Sequence, residues 1–183
     1  MSRKVVVIGH GYLSRLALVR SLGRMGCDVT VIVTMYGSVV ATKPLDCYSK
    51  YVNQVFYCNA KDEKGLITIL KEHCVYDSQK VVIIPDSDFS AAFVDKHRED
   101  LVENFVFPHI KGPLHIEELM DKERQKILAR EIGIKTPNTT VLHIRSGVIP
   151  DLEKINYPCF TKALTTMGGV ENNVLDVVHS ICT

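Results

Sequence analysis

The first 33 residues contain the feature that most constrains the fold: a short strand, a glycine turn, a long helix and a second strand. Lys4 to Ile8 is a β-branched run without polar alternation, which is typical of a strand covered on both faces. The helix predicted from Tyr12 to Met25 has apolar residues around much of its circumference, so we expect it to be broadly buried. Gly26 is placed to end this helix in a left-handed turn, and Val29 to Val33 predicts the second strand. A βαβ unit of this length predicts a parallel sheet.

The same alternation of helices and strands continues down the chain. Gly65 to Glu72 predicts a helix, and Lys80 to Ile84 predicts another buried strand that Pro85 stops. Weaker signals predict two further helices and a short strand, at Phe89 to Lys96, Glu99 to Asn104 and Phe105 to Phe107. The predicted fold class is therefore α/β, with a Rossmann-like parallel sheet.

The alternation of helices and strands is interrupted near Lys111 and Gly112, where the sequence reads KGP. Two helices are predicted after this point, from Leu114 to Met120 and from Asp121 to Ile132, and Gly133 and Pro137 mark the exit of the second. The stretches NTTVLHI and YPCFTKAL then predict strands. We therefore predict two domains, residues 1–111 and residues 112–183.

Charge and cysteine usage exclude several classes of protein. The chain carries 22 basic and 21 acidic residues, so no electrostatic field would attract nucleic acid or an anionic membrane. The apolar run from Val5 to Ile8 is too short for a signal core or a membrane span. The six cysteines form no Cys-x-x-Cys pair, which argues against zinc and redox sites and favours reduced thiols in the cytoplasm.

The turn Gly9-His10-Gly11, followed by Ser14, is a partial dinucleotide fingerprint whose third glycine is a serine. The second strand ends in VIVTMYGS, without the acidic residue that would hold a ribose hydroxyl, and this argues against NAD. Two interpretations stay open: a structural turn, or a turn that contacts a small molecule and whose helix could bind an anion. His10 is interpreted as a residue of the site's rim and not as a catalytic base.

Asp86, Ser87 and Asp88 directly follow the strand Lys80 to Ile84. Ligands of open α/β sheets gather outside the carboxyl ends of the strands, so we predict that these three residues face a substrate. The alternative is that one of them caps the next helix. Capping explains one residue and not the pair of carboxylates.

Lys162 closes the predicted strand YPCFTKAL, and a Thr/Gly loop follows at once. A lysine at a strand end can pair with phosphate oxygens while backbone N–H groups of such a loop cover them. A solvated lysine and a hairpin turn at Gly168-Gly169 are the alternatives.

Together and in this order, these segments resemble the ATP-grasp superfamily, in its carboxylate–amine ligase branch akin to D-aspartate ligase and the large subunit of carbamoyl-phosphate synthase. The segment VVIGHGYLSRLALVRSLGRMGCDVTVI is similar to the opening of the Rossmann-like pre-ATP-grasp domain, and IPDSDFSAAFVDKHREDLVENF to the segment before the nucleotide lobe. LMDKERQKILAREIGIKTPNT resembles the Asp-Lys helix that introduces the ATP-grasp fold, and INYPCFTKAL resembles the Tyr-Pro-x-x-x-Lys strand. The last two motifs, at this spacing, are the specific part of the resemblance.

The resemblance implies an ATP-dependent ligase that activates a carboxylate as an acyl phosphate for attack by an amine, with ATP and magnesium as cofactors. Lys122 and Lys162 would contact the nucleotide. The loop that closes over the triphosphate would consist of Thr165, Thr166, Met167, Gly168 and Gly169. The turn at Gly9 would face the carboxylate or the amine substrate, and the resemblance also allows a homodimer.

The family's magnesium ligands, and the arginine that steadies its acyl phosphate, lie beyond the matched segments and have no counterpart up to Thr183. We therefore assign no metal ligand and no catalytic residue, and expect a front portion of a ligase that is inactive by itself, with magnesium ligands beyond residue 183. Two alternatives remain open: an NAD(P)-binding Rossmann module, and a non-catalytic interaction domain that docks through the apolar tail from Val174 to Cys182.

Overall fold

A five-stranded parallel sheet organises the first part of the chain in the computed structural model, which describes residues 2–10, 12–37, 43–76, 79–110, 112, 114–138, 140 and 159. The strands run in the order β3-β2-β1-β4-β5. Their bounds are β1 Lys4–Gly9, β2 Asp28–Met35, β3 Val52–Asn59, β4 Val81–Pro85 and β5 Phe105–Val106. All four pairings are parallel, so the predicted α/β class is confirmed.

Helices cover both faces of this sheet. The elements between the strands are α1 Tyr12–Arg24, a 3₁₀ helix Leu45–Tyr48, α2 Glu63–His73, α3 Asp88–Lys96 and α4 Arg98–Leu101. On one face, Val19 of α1 packs with Val7 and Val31 of the strands. On the other face, Leu66 of α2 and Phe93 of α3 pack against the opposite side of the same strands. This double cover explains why the central strands read as continuous apolar runs.

The broad burial predicted for the first helix is wrong. Leu13 is 72% exposed and Met25, just after α1, is 78% exposed, whereas Val19 is fully buried. The described layers cover α1 only on its sheet side, so an apolar residue on its far side stays in contact with solvent.

The sequence analysis predicted no strand over β3. This strand contains the exposed polar residues Asn53 and Gln54, and it pairs with β2 alone at one border of the sheet. A border strand needs no continuous apolar run, because one of its sides is open and its register follows from the strand beside it.

The chain clusters into two compact units, residues 1–116 and residues 117–183. The division into two domains, with a boundary at residue 111, stays a prediction. The buried carboxylate of Asp95, in α3, accepts hydrogen bonds from the backbone N–H of Ile116 at 2.9 Å and pairs with Nδ1 of His115 at 3.1 Å. These contacts fix the end of the first unit to its own α3.

The described part of the second unit is mainly the helix α6, Lys122–Glu131, which follows the short α5, Ile116–Met120. Asp121 caps α6 by accepting a hydrogen bond from the backbone N–H of Arg124 at 2.8 Å. At the other end, Gly133 has a φ of +76°, and Ile134 N donates to Ala129 O at 2.8 Å. The helix predicted between Asp121 and Ile132 is thereby confirmed, while nearly all residues of the two strands predicted after it lie outside the described residues.

Two properties of the described residues bear on function. Within that part of the chain, no helix has the length and apolar character needed to cross a membrane. Cys27, Cys47, Cys58, Cys74 and Cys159 are all free thiols.

Candidate functional site

The strands β1 and β4 end side by side, at the point where the strand order reverses. The crevice outside such a reversal is where open α/β sheets bind ligands. The backbone N–H of Asp86 donates to the carbonyl of Ile8 at 2.9 Å, which joins the two turns that follow these strands. The structure thus brings Gly9 next to Asp86 and Ser87, three of the residues predicted from the sequence.

Gly9 is required by this close approach. A Cβ atom built on Gly9 would lie 1.5 Å from Oδ1 of Asp86 and 3.1 Å from Oγ of Ser87. Its φ of +153° is a conformation that residues with a side chain rarely adopt. The glycine therefore makes room for a carboxylate that packs against the turn, which is a structural reason for the first glycine of the motif.

The buried side chain of Arg15 binds the turn that follows β1. Its Nη1 donates to the carbonyl of Gly9 at 2.7 Å and lies 3.6 Å from Oδ2 of Asp86, while its Nε donates to Oδ2 of Asp46 at 2.5 Å. The three side chains are at most 1% exposed. We call Arg15, Asp46 and Asp86 the buried ion cluster. It ties the turn after β1 to the 3₁₀ helix after β2 and to the turn after β4.

Sequence reasoning missed Arg15 and Asp46. The available signal was an arginine within the apolar stretch YLSRLALV, six residues after Gly9. A buried arginine needs carboxylate or carbonyl partners, and neither could be identified along the chain, because Asp46 lies 31 residues away.

Ser87 caps α3, as the alternative interpretation had it. Its Oγ accepts from the backbone N–H of Ser90 at 3.3 Å, and Oγ of Ser90 accepts from the backbone N–H of Ser87 at 3.1 Å. This is a reciprocal capping box. The two carboxylates beside it differ: Asp86 lies inside the fold, and Asp88, the first residue of α3, is exposed. A contact between a substrate and any of these residues stays a prediction.

Three rings form an aromatic rim above the carboxyl ends of the strands: His10, Tyr36 and Phe89. The ring centroids of His10 and Tyr36 are 5.6 Å apart, and those of Tyr36 and Phe89 are 6.3 Å apart, with planes inclined by 68° in both pairs. His10 is exposed and Tyr36 is 43% exposed. The interpretation of His10 as a rim residue of a ligand site stays a prediction.

The buried thiol of Cys47 lies next to the buried ion cluster, 3.7 Å from Oδ2 of Asp46. Burial, followed by the charge of Asp46, raises the pKa of Cys47 to about 11. A neutral thiol is a weaker nucleophile than a thiolate, and Cys47 packs within one of the two apolar clusters.

The nucleotide residues implied by the resemblance are only partly covered by the structure. Lys122 is a half-buried residue in the first turn of α6. The other implied residues, together with Gly11 of the turn, lie outside the described residues: Lys162, Thr165, Thr166, Met167, Gly168 and Gly169. Within the described ranges, no group of three or more histidine, cysteine, aspartate or glutamate side chains is placed to hold a metal ion.

No protein-family model and no curated protein matches this chain. Among solved structures, the chain is similar to the L-amino acid ligase from Bacillus licheniformis, with 17% identity and a TM-score of 0.53 over 86% of this chain and 35% of the ligase. It is also similar to an N5-carboxyaminoimidazole ribonucleotide synthetase solved as its ADP complex, with 15% identity and a TM-score of 0.47 over 72% of this chain and 29% of the synthetase. A biotin carboxylase domain of a single-chain bacterial carboxylase gives 18% identity and a TM-score of 0.47 over 71% and 29% of the two chains.

These three proteins are ATP-grasp carboxylate–amine ligases, the class whose motifs the sequence resembles. The likeness to the L-amino acid ligase shows a shared fold. The TM-scores of the other two structures, both 0.47, are too low to support an argument. The chain spans about a third of the length of the solved structures that it matches. The L-amino acid ligase therefore shares the fold of this chain over part of its own length.

Proposed function

We propose that this chain is the N-terminal portion of an ATP-dependent carboxylate–amine ligase of the ATP-grasp superfamily. The observation that carries the proposal is the helix α6, which begins after its Asp121 cap, places Lys122 in its first turn and is followed by Gly133 in a left-handed conformation. This is the local structure expected of the Asp-Lys helix in the motif. The Rossmann-like sheet that precedes it supports the same assignment.

In this proposal, Lys122 and Lys162 bind the nucleotide, and residues 165–169 form the loop over its phosphates. A lysine ammonium suits this task, because it forms charge-assisted hydrogen bonds to phosphate oxygens. ATP supplies the phosphoryl group that activates a carboxylate for attack by an amine. Lys122 sits at the amino end of α6, where the helix dipole adds to its attraction for an anion.

The first unit would hold a substrate at the carboxyl edge of its sheet, near Gly9, His10, Gly11, Asp86, Ser87 and Asp88. Support comes from the position of the crevice at the reversal of strand order. A cytoplasmic location and a homodimer complete the proposal. The described residues offer no cluster that fits a magnesium ion, so the proposal names no magnesium ligand among them.

Nucleotide binding tests the proposal directly. The 183-residue chain is titrated with ATP, in the presence of magnesium, by isothermal titration calorimetry. We expect Lys122→Ala and Lys162→Ala each to weaken binding about tenfold to a hundredfold, since each removes a charge-assisted hydrogen bond to phosphate. Lys135→Ala, an exposed lysine after α6, is the matched control and should bind ATP like the parent chain.

A second titration, with NADH, separates this proposal from a dinucleotide-binding module. ATP binding that depends on both lysines supports the ligase, whereas NADH binding that Gly11→Ala removes contradicts it. In the complete enzyme, Lys162→Ala should abolish ATP-dependent amide formation, and retained activity would contradict the role of this lysine.

A further inference from the structure

The two border strands of the sheet differ in how well they resist pairing with another strand. β5 is only two residues long, which leaves little backbone for a further strand. β3 is eight residues long, and its sequence VNQVFYCN contains no proline and no charged residue. Its register with β2 shifts once at the start and is then continuous from Gln54 to Asn59. β3 therefore lacks the charges, prolines and short length that protect border strands in other proteins.

The hydrogen-bond pattern of β3 shows which of its backbone groups face away from β2. Ala60 N donates to the carbonyl of Met35 at 2.8 Å, so the backbone of residue 60 points toward β2. This direction alternates along an extended strand, so the backbone groups of Phe56 point inward and those of Val55 and Tyr57 point outward. Among the described residues, no hydrogen bond of a turn or loop uses the backbone of Val55 or Tyr57. These groups are available to a further strand.

We propose that a second copy of this chain pairs with β3 in antiparallel orientation and joins the two sheets into one. The inference rests on the homodimer of the proposed function and deepens it by naming the interface. Hydrogen-bonded and non-hydrogen-bonded pairs alternate along an antiparallel ladder, so a two-fold axis must pass between one residue and its own copy. With Phe56 on this axis, Val55 exchanges two hydrogen bonds with the partner's Tyr57, and the same pair forms again across the axis.

Charges at the two ends of β3 favour this register and a second copy as the occupant. Lys50 lies six residues before Phe56 and Asp62 lies six residues after it, so the axis brings each lysine toward the partner's aspartate. Nζ of Lys50 lies over the ring of Tyr51, 5.1 Å from its centroid, which leaves its charge unneutralised. Oδ1 of Asp62 accepts a hydrogen bond from the backbone N–H of Gly65 at 2.9 Å and keeps its charge as well. An axis at Phe56 thus satisfies both the backbone and the charges.

The mass of the 183-residue chain in solution tests the proposal. Sedimentation velocity over about 1–100 µM chain should show a reversible rise from the 20.5 kDa of one chain to about twice that mass. Hydrogen exchange measured by mass spectrometry should show faster exchange of the β3 segment in the monomer than in the dimer. Equal protection of β3 in a monomeric chain would assign this border to a segment of the same chain and overturn the proposal.

Two variants at Val55 separate the backbone from the side chain. Val55→Pro removes the N–H that donates to the partner's Tyr57, and this N–H faces away from β2, so the pairing within the chain is kept. We expect dimerisation to weaken at least about tenfold. Val55→Ala is the matched control, because it loses the side chain and keeps the N–H, and it should stay within about threefold of the parent. Circular dichroism checks that both variants fold.

Charge variants test the register without changing β3. Lys50→Glu places a negative charge opposite the partner's Asp62 and should weaken dimerisation at least about threefold. Adding Asp62→Asn should recover part of this loss, because asparagine is neutral and still caps α2. A dimer that neither Val55→Pro nor Lys50→Glu weakens would have its interface elsewhere, and the proposal would be overturned.

Titration of the same samples with ATP separates this inference from the ligase. A chain that binds ATP and stays monomeric at about 100 µM contradicts the β3 interface alone. A dimer that Val55→Pro dissociates but that binds no ATP supports the interface and contradicts the ligase.

Discussion

Among the described glycines, Gly9 is the one where an added Cβ atom would lie nearest to another atom, at 1.5 Å. The carboxylate of Asp86 occupies the space that a Cβ atom at position 9 would need. The sequence identified a glycine turn and left two reasons for it open: a structural turn, or a turn that contacts a small molecule. The structure adds a third reason, the close approach of the acidic side chain of Asp86, which follows β4 more than 70 residues later.

We predict that Gly9→Ala destabilises the chain by about 2 kcal/mol or more, because the new methyl group must displace Asp86 and strain the turn. Gly26→Ala is the matched control. Gly26 also has a positive φ, +80°, but a Cβ atom there meets nothing within 4 Å, so only the backbone penalty of about 1 kcal/mol applies. Urea denaturation measures both, and equal losses would show that Asp86 does not restrict Gly9.

At the scale of elements, the buried ion cluster joins three loops that the sheet alone leaves independent. Arg15 of α1 reaches the 3₁₀ helix through Asp46 and the turn after β4 through Asp86. A guanidinium group is suited to this position, since its several donors can bind a carbonyl and carboxylates at the same time.

We predict that Arg15→Met lowers the free energy of unfolding by about 3–5 kcal/mol, since it leaves two buried carboxylates without their cation. The triple variant Arg15→Met/Asp46→Asn/Asp86→Asn should recover part of this loss, because none of the three positions then carries a charge. Arg20→Met, an exposed arginine of the same helix, should stay within about 0.5 kcal/mol of the parent. A triple variant no more stable than Arg15→Met would contradict this electrostatic account.

A second link joins α2 to α3 and depends on pH. Glu63 Oε2 lies 2.8 Å from Nζ of Lys96 and 3.0 Å from Nε2 of His97. The hydrogen bond from Lys96 holds the pKa of Glu63 below its ordinary value of 4.5. A lowered carboxylate pKa stabilises the folded state above pH 4.5 and loses this effect as the pH falls through the folded pKa.

Glu63→Gln should therefore cost less than about 1 kcal/mol at pH 7, because the pair is largely exposed, and a smaller amount at about pH 3. Denaturation curves at both pH values measure the difference. Glu72→Gln, an exposed carboxylate of the same helix, is the control and should show no pH-dependent penalty. An equal penalty for Glu63→Gln at the two pH values would exclude a charge effect.

On the scale of the whole molecule, both apolar clusters of the described residues lie within residues 1–116. The described helix α6 has no fully buried residue. The first unit thus contains the hydrophobic contacts that a domain needs to fold by itself.

We predict that the fragment 1–116 unfolds in one cooperative transition. The fragment 1–111, cut at the boundary that the sequence suggests, should be less stable by about 1–3 kcal/mol. It lacks His115 and Ile116, so the buried carboxylate of Asp95 loses both hydrogen bonds. Circular dichroism during urea denaturation measures both fragments, and equal stabilities would show that Asp95 does not need these partners.

The elements that depend on near neighbours were predictable from the sequence. The buried strands β1, β2 and β4 are runs of β-branched residues. The helix α6 has its cap at Asp121 and a glycine just after its end, at Gly133, and these two positions are 12 residues apart. Local propensity, capping and glycine conformation are short-range effects, so the letters themselves contain this information.

The contacts that join distant parts of the chain were decided only by the tertiary structure. β3 is a strand because β2 offers it a partner, and its own polar residues do not predict one. The buried ion cluster and the aromatic rim assemble from the chain segments that follow β1, β2 and β4, which the strand order brings to one edge. The sequence determined the parallel α/β class and the motifs of the second unit, whereas the pairing of Arg15 with Asp46 and Asp86 depends on strand order, which neighbouring letters do not encode.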